Sequence, residues 1–180
     1  MTKTDFDKFV TRQKAQSTGA SKVDAKAMRK EWLSHIEALY KHVETILEEY
    51  VSRGDIEVSY EPLEINEEFL GSYKTRRMTL KIGSQVVQLV PVGAVIIGAR
   101  GRVDLVGSRG REKLVLVGKT RQKPTIRITV RDEGGRHQEP AESPPETELG
   151  WKFSTPPPSI NYIELTSETL MDAIMGVANA

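Results

Sequence analysis

The 180-residue sequence contains no cysteine. Disulfides, thiolate nucleophiles and cysteine-based zinc sites are excluded together, and the composition suits a reducing compartment. Aromatic residues are scarce at 6%, and none lies between Tyr73 and Trp151. Single-strand nucleic-acid binders interleave aromatics with basic residues, so the middle of this chain offers no stacking platform. Net charge is nearly absent: 26 basic against 25 acidic residues leave +1. No whole-molecule field draws the chain to nucleic acid or membrane. Long apolar runs are missing too. The most apolar stretch, VVQLVPVGAVIIGA, is broken by Gln88, Pro91, Gly93 and Gly98, and falls short of the roughly 20 apolar residues of a spanning helix. The start, MTKTDFDKFV, is polar and acidic, without the apolar core of a secretory signal. A cytoplasmic protein with no membrane partner is the default expectation.

What is present supports a globular chain. Apolar residues make up 38% and charged residues 28%, enough for one substantial domain with an appendage. Residues 1–20 read as an N-terminal arm. Within it, 4–16 form a weak amphipathic helix carrying Phe6, Phe9 and Val10, and STGAS at 17–21 breaks it. A helix this short is marginal alone, so the arm needs a surface to dock on.

Residues 21–180 read as a single α+β domain. Its strongest signal is a helix over 21–53. Ser21 and Asp24 open it, Gly54 stops it, and Trp32, Ile36, Leu39, Val43, Ile46 and Tyr50 recur three and four apart. Leu33, Tyr40, Leu47 and Val51 widen the stripe. A helix laid on a sheet is the better reading; a dimer seam is the alternative.

From residue 55 the period changes to two. IEVSYEPLEI is a strand that Pro62 marks as an edge or bulge. NEEFLG at 66–71 could form one helical turn. RRMTLKI and QVVQLV are joined by Gly83-Ser84 in a hairpin. Its register puts Ile82 opposite Gln85, Leu80 opposite Val87 and Met78 opposite Leu89 on one face. Thr79 with Gln88 and Lys81 with Val86 occupy the other. AVII, RVDLV, KLVLV and TIRITVR follow as short strands, with KLVLV central and covered on both faces. Residues 132–149 form an acidic, proline-bearing loop. GWKFS re-enters the sheet, TPPP crosses as a polyproline-type stretch, INYIEL is the last strand, and Thr166 caps a terminal helix with Leu170, Ile174 and Val177 on one face. The whole is a long amphipathic helix on a curved antiparallel meander, able to curl into a partial barrel.

The pattern G-x-R-G-R occurs at 98–102 and again at 107–111. Successive turns of a meander lie at opposite ends of the sheet, so the two loops cannot close on one phosphate. Loop 118–124, GKTRQKP, turns at the same end as 98–101. It would gather Lys119, Arg121 and Lys123 beside Arg100 and Arg102, making a candidate polyanion-binding edge. Residues 100–131 hold ten basic residues against Asp104 and Glu112.

Catalytic patterns fail on geometry. GKT at 118–120 lacks the preceding glycine of a phosphate loop, since Lys113 stands there. Glu112 and Lys113 are adjacent on a strand, so they face opposite sides and cannot share a metal with Asp104; an arginine partner suits Asp104 better. His35 and His42 are a helical i,i+7 pair, about 10.5 Å apart along the axis and too far to share an ion. No catalytic residue, metal ligand or cofactor is expected. The leading expectation is a non-catalytic interaction or accessory protein, binding another protein or itself through Phe6, Phe9 and the prolines Pro156, Pro157 and Pro158. The alternative is a nucleic-acid or polyanion binder using Arg100, Arg102, Lys119, Arg121 and Lys123.

Overall fold

A computed structural model describes residues 3–96, 98–124 and 148–178, with the surroundings of the first helix's side chains described from residue 24 onward. TIRITVR at 125–131 and nearly all of the acidic loop 132–149 lie outside the described residues. So do the side-chain surroundings of Phe6 and Phe9.

The first helix, α1, runs Lys3–Ser52 without interruption, a rise of about 75 Å. The break expected at residues 17–21 is absent. Serine, threonine and glycine each weaken a helix interior by about 1 kcal/mol or less, and with no proline among them the hydrogen-bond ladder stays complete. The stop is as expected: Gly54 has φ +78°, and its N–H donates to the Val51 carbonyl while that of Asp55 donates to Tyr50.

Seven strands follow in chain order: β1 Glu57–Glu67, β2 Gly71–Ile82, β3 Gln85–Gly93, β4 Arg102–Gly107, β5 Gly110–Gly118, β6 Leu149–Ser154 and β7 Tyr162–Glu164. Every neighbouring pair is antiparallel, and the sheet order is the chain order. This is an α+β protein built on an antiparallel meander. The β2–β3 hairpin has the expected register, with Met78 opposite Leu89, Leu80 opposite Val87 and Ile82 opposite Gln85. Met78, Leu80, Val87 and Leu89 are fully buried. Pro62 lies within β1, which is an edge strand, where a missing N–H does least harm.

Two expected elements differ. NEEFLG is not a helical turn; β1 extends through Glu67, and residues 68–70 turn directly into β2. Residues 94–96 of AVII are not a strand, and Ile97 lies outside the described residues. The register shifts between Pro91 and Gly93, and the Glu67 carboxylate takes up the Ala94 and Val95 N–H groups that a strand would need. Only an isolated bridge, Ile96 with Ala99, remains.

One face of the sheet carries the core. Trp32, Ile36, Leu39, Tyr40, Val43 and Leu47 of α1 pack on Met78, Leu80, Val87, Leu89, Val103, Leu105, Leu114 and Phe153. Ile36 and Val43 have no exposed surface, so the helical stripe is core and not a dimer seam. The terminal helix, α2 Ser167–Ala178, adds Leu170, Ile174 and Val177 to the same cluster. Its start is a reciprocal cap: the Thr169 N–H donates to Thr166 Oγ1, and the Thr166 N–H donates to Thr169 Oγ1. Leu114, Val115, Leu116 and Val117 of β5 are all buried, with β4 and β6 on either side, as the run of apolar residues implied. No described helix is long and apolar enough to cross a membrane.

Candidate interaction surfaces

The two arginine loops lie at opposite ends of the sheet. The 107–110 turn meets the end of α2: the Arg109 N–H donates to the Val177 carbonyl and the Ser108 hydroxyl to that of Ala178. The 98–101 loop meets the 118–124 connection instead. Arg121 Nη1 donates to the Gly98 carbonyl at 3.4 Å, and the Arg100 N–H donates to Leu116 at 2.8 Å. The two loops therefore meet through Arg121 and Gly98.

Their charges are largely committed within the chain. Arg102 grips the buried Asp104 through two hydrogen bonds of 2.6 and 2.7 Å. That contact, chiefly the hydrogen bond to the carboxylate, raises the guanidinium pKa above its ordinary value. Arg111 reaches the same carboxylate at 3.7 Å, so Asp104 pairs with arginine both along its strand and across to β5. Lys119 bridges to Glu148 at 2.8 Å, and the hydrogen bond lowers the Glu148 pKa. Of the five residues, Arg100 and Lys123 are exposed and form no ion pair among the described residues.

Loop 118–124 is held by a lysine that no local pattern in the sequence singles out. Lys152 of β6 is 2% exposed. Its Nζ donates to the carbonyls of Lys119 at 2.6 Å and Arg121 at 2.9 Å, and pairs with Glu164 at 2.6 Å. Three acceptors satisfy its three N–H groups, the condition for keeping an ammonium buried.

A second surface lies where the β1–β2 turn meets the β3–β4 connection. Glu67 ends β1. Its carboxylate accepts the Tyr73 hydroxyl, the Ala94 N–H at 3.0 Å and the Val95 N–H at 2.9 Å. Burial, followed by this hydrogen bond, drives the Tyr73 pKa well above the usual phenol value. The clamp brings exposed Phe69 on the β1–β2 turn to the same end as exposed Val92 near the end of β3 and exposed Val95 on the β3–β4 connection; their fractional exposures are 47%, 40% and 55%. A shallow hollow beside it is lined by Trp32, Ala94 and Arg100 among others. Trp32 is seated there by Gly101, where a Cβ would come within 2.2 Å of the indole, and by Trp151, 5.9 Å away between ring centres.

Nothing local in NEEFLG or PVGAV marked these residues. Glu67 and Glu68 are adjacent acids in the sequence, and only the tertiary contact distinguishes them. Pro156, Pro157 and Pro158 are exposed, and the chain bends at 157–159, so they do not form one straight extended stretch. His35 sits 3.7 Å from Glu31, and among the described residues no His, Asp and Glu cluster could hold a metal. Asp104 and Glu112 face opposite sides, since Lys113 stands opposite Asp104 and Leu105 opposite Glu112.

Comparison with protein families, curated proteins and solved structures finds no match to this chain.

Proposed function

We propose that this protein is a non-catalytic binding module that recognises another protein through the end of the sheet formed by residues 66–70 and 92–95. The observation carrying this reading is the Glu67 clamp, which fixes the β1–β2 turn carrying exposed Phe69 against the β3–β4 connection carrying exposed Val95, next to exposed Val92 at the end of β3. Fixed apolar side chains bind without a large ordering cost, and an aromatic on a rigid turn is a typical anchor. Arg100, beside Ala94 and without an ion pair among the described residues, supplies a polar rim. The test is cross-linked recovery of partners from the source cell with the wild-type chain, the double variant Phe69→Asp/Val95→Asp and the control Val86→Asp, whose side chain is exposed in β3 beside the Gly83–Ser84 turn. Partners held by wild type and control but lost by the double variant support the reading. Equal recovery by all three rejects it.

The second reading is polyanion binding at the basic edge formed by loops 98–102 and 118–124, favoured by the contact of Arg121 with Gly98 that unites the two loops. Arg100 and Lys123 would make the first phosphate contacts. Fluorescence anisotropy with duplex DNA and single-stranded RNA at two salt concentrations tests it. Salt-sensitive binding that Arg100→Glu and Lys123→Glu remove would support it.

A further inference from the structure

We propose that the first half of the β1 edge, residues 57–61, is a second docking site, for a short extended segment of a protein partner in which apolar and basic residues alternate. The site shares no residue with the 66–70/92–95 surface.

Strand geometry decides which β1 groups are free. β1 is the outermost strand, and no described strand pairs with its far side. The Tyr40 hydroxyl donates to the Arg76 carbonyl at 2.7 Å and lies 3.3 Å from that of Leu89. Arg76 therefore directs its backbone groups toward β3, not β1. Its partner across the β1–β2 ladder is Pro62. The two form a non-hydrogen-bonded pair, and the proline nitrogen faces the open edge. Alternation gives Val58 and Tyr60 outward N–H and C=O groups. An added strand would find two donors there before Pro62 supplies none, so the edge accepts a segment of only a few residues. This also guards the longer edge against indiscriminate pairing.

A groove accompanies the open stretch. It has a volume of about 290 Å³ and lies between α1 and β1, lined by Lys41, Glu44, Thr45, Glu48, Val51, Ser52 and Val58. That is at the small end for a small-molecule site, but it runs beside a strand edge. Val58 and Tyr60 point toward α1, so alternate side chains of an added strand would enter the groove over Val51 and Val58. The intervening ones would lie next to Glu57 and Glu61, on the other face. Glu48 has no ion pair among the described residues, and Glu44 accepts only the neutral Tyr60 hydroxyl at 2.6 Å. Glu57 and Glu61 each face one cation of β2, Lys81 and Arg77, and retain free lone pairs. Four carboxylates, Glu44, Glu48, Glu57 and Glu61, thus border the site against Lys41 in the groove and Lys81 and Arg77 on the other face, so the balance is negative and the complement is a lysine- or arginine-bearing strand.

The experiment titrates the full chain with the capped peptide Lys-Val-Lys-Val-Lys, and in parallel with Glu-Val-Glu-Val-Glu, following backbone amides by NMR. The expected result is that the basic peptide moves the Val58 and Tyr60 amides and the acidic one does not. Val58→Pro, which deletes an outward donor, and Glu57→Lys, which reverses a charge on the face that takes the basic residues, should each weaken binding by about tenfold, equivalent to one hydrogen bond or close charge pair. Glu57 is exposed on β1, so its variant reports even if the proline variant does not fold. Unmoved Val58 and Tyr60 amides, equal binding of the two peptides, or undiminished binding to Glu57→Lys would overturn the proposal.

Discussion

Replacing Glu67 with alanine tests both the folding and the functional reasoning at one atom group. Three donors lose their acceptor: the Tyr73 hydroxyl and the Ala94 and Val95 N–H groups. They are not equivalent. Val95 is exposed at 55%, and water replaces the carboxylate there at little cost. Tyr73 and Ala94 are exposed by only 5% and 6%, so their donors are left buried and unmet. Each such orphan costs about 1–3 kcal/mol. The expected loss is about 3 kcal/mol, which for a chain of this size lowers Tm by about 6–12 °C. Glu67→Gln keeps one acceptor oxygen and should lose about 1 kcal/mol. Urea unfolding measures the loss, and amide hydrogen exchange localises it. The Ala94 amide should lose protection first, while the Leu80 and Val87 amides in the β2–β3 hairpin follow global unfolding. A cycle with Tyr73→Phe should return a coupling of about 1 kcal/mol. If Glu67→Ala is within about 0.5 kcal/mol of wild type and Ala94 exchange is unchanged, the clamp does not order this end of the sheet. The proposed recognition surface would then lose its physical basis.

Lys152→Met removes the donor held by the Lys119 and Arg121 carbonyls; stability should fall by about 1–3 kcal/mol, with faster amide exchange at Lys119, while exposed Glu164 returns to water. Gly101→Ala places a methyl 2.2 Å from the Trp32 ring; the indole must shift, at about 1–3 kcal/mol, and tryptophan emission should move to the red. Tyr40, Tyr60 and Tyr73 all have raised pKa values, caused first by burial. A raised folded-state value means the unfolded chain gives up these protons first. Their contribution is complete below about pH 10 and is lost as pH rises through the folded values. Tyrosinate absorbance should therefore show these three of the five tyrosines ionising together with alkaline unfolding; smooth independent titration in a folded chain would contradict their burial.

Periodicity made much of the architecture legible. The 3.6-residue stripe of α1 and the two-residue alternation of β2 and β3 depend only on which neighbours share a face. The helix position, the hairpin register and the capped α2 follow from that. The buried run Leu114–Val117 likewise announced a strand with neighbours on both sides. Even the meeting of loops 98–101 and 118–124 followed from counting turns in a meander. Local rules failed where a distant group outbid them. AVII has strand composition, but the Glu67 carboxylate takes its N–H groups. STGAS has breaker composition, but without proline nothing forces the ladder open.

The candidate sites belong almost entirely to the tertiary structure. The sequence by itself determined that the chain carries a local excess of positive charge, lacks cysteine chemistry and buries one face of a long helix. It could not decide which arginines remain free. Arg102 is spent on Asp104 and Lys119 on Glu148, whereas Arg100 and Lys123 stay exposed, because side-chain pairing depends on distances across strands and not on spacing along them. Nor could it single out Glu67, Phe69 and Val95, or show that Lys152 is buried. Those facts arise where turns some 25 residues apart meet, and where a carboxylate or an ammonium is kept from water only by partners that folding brings to it.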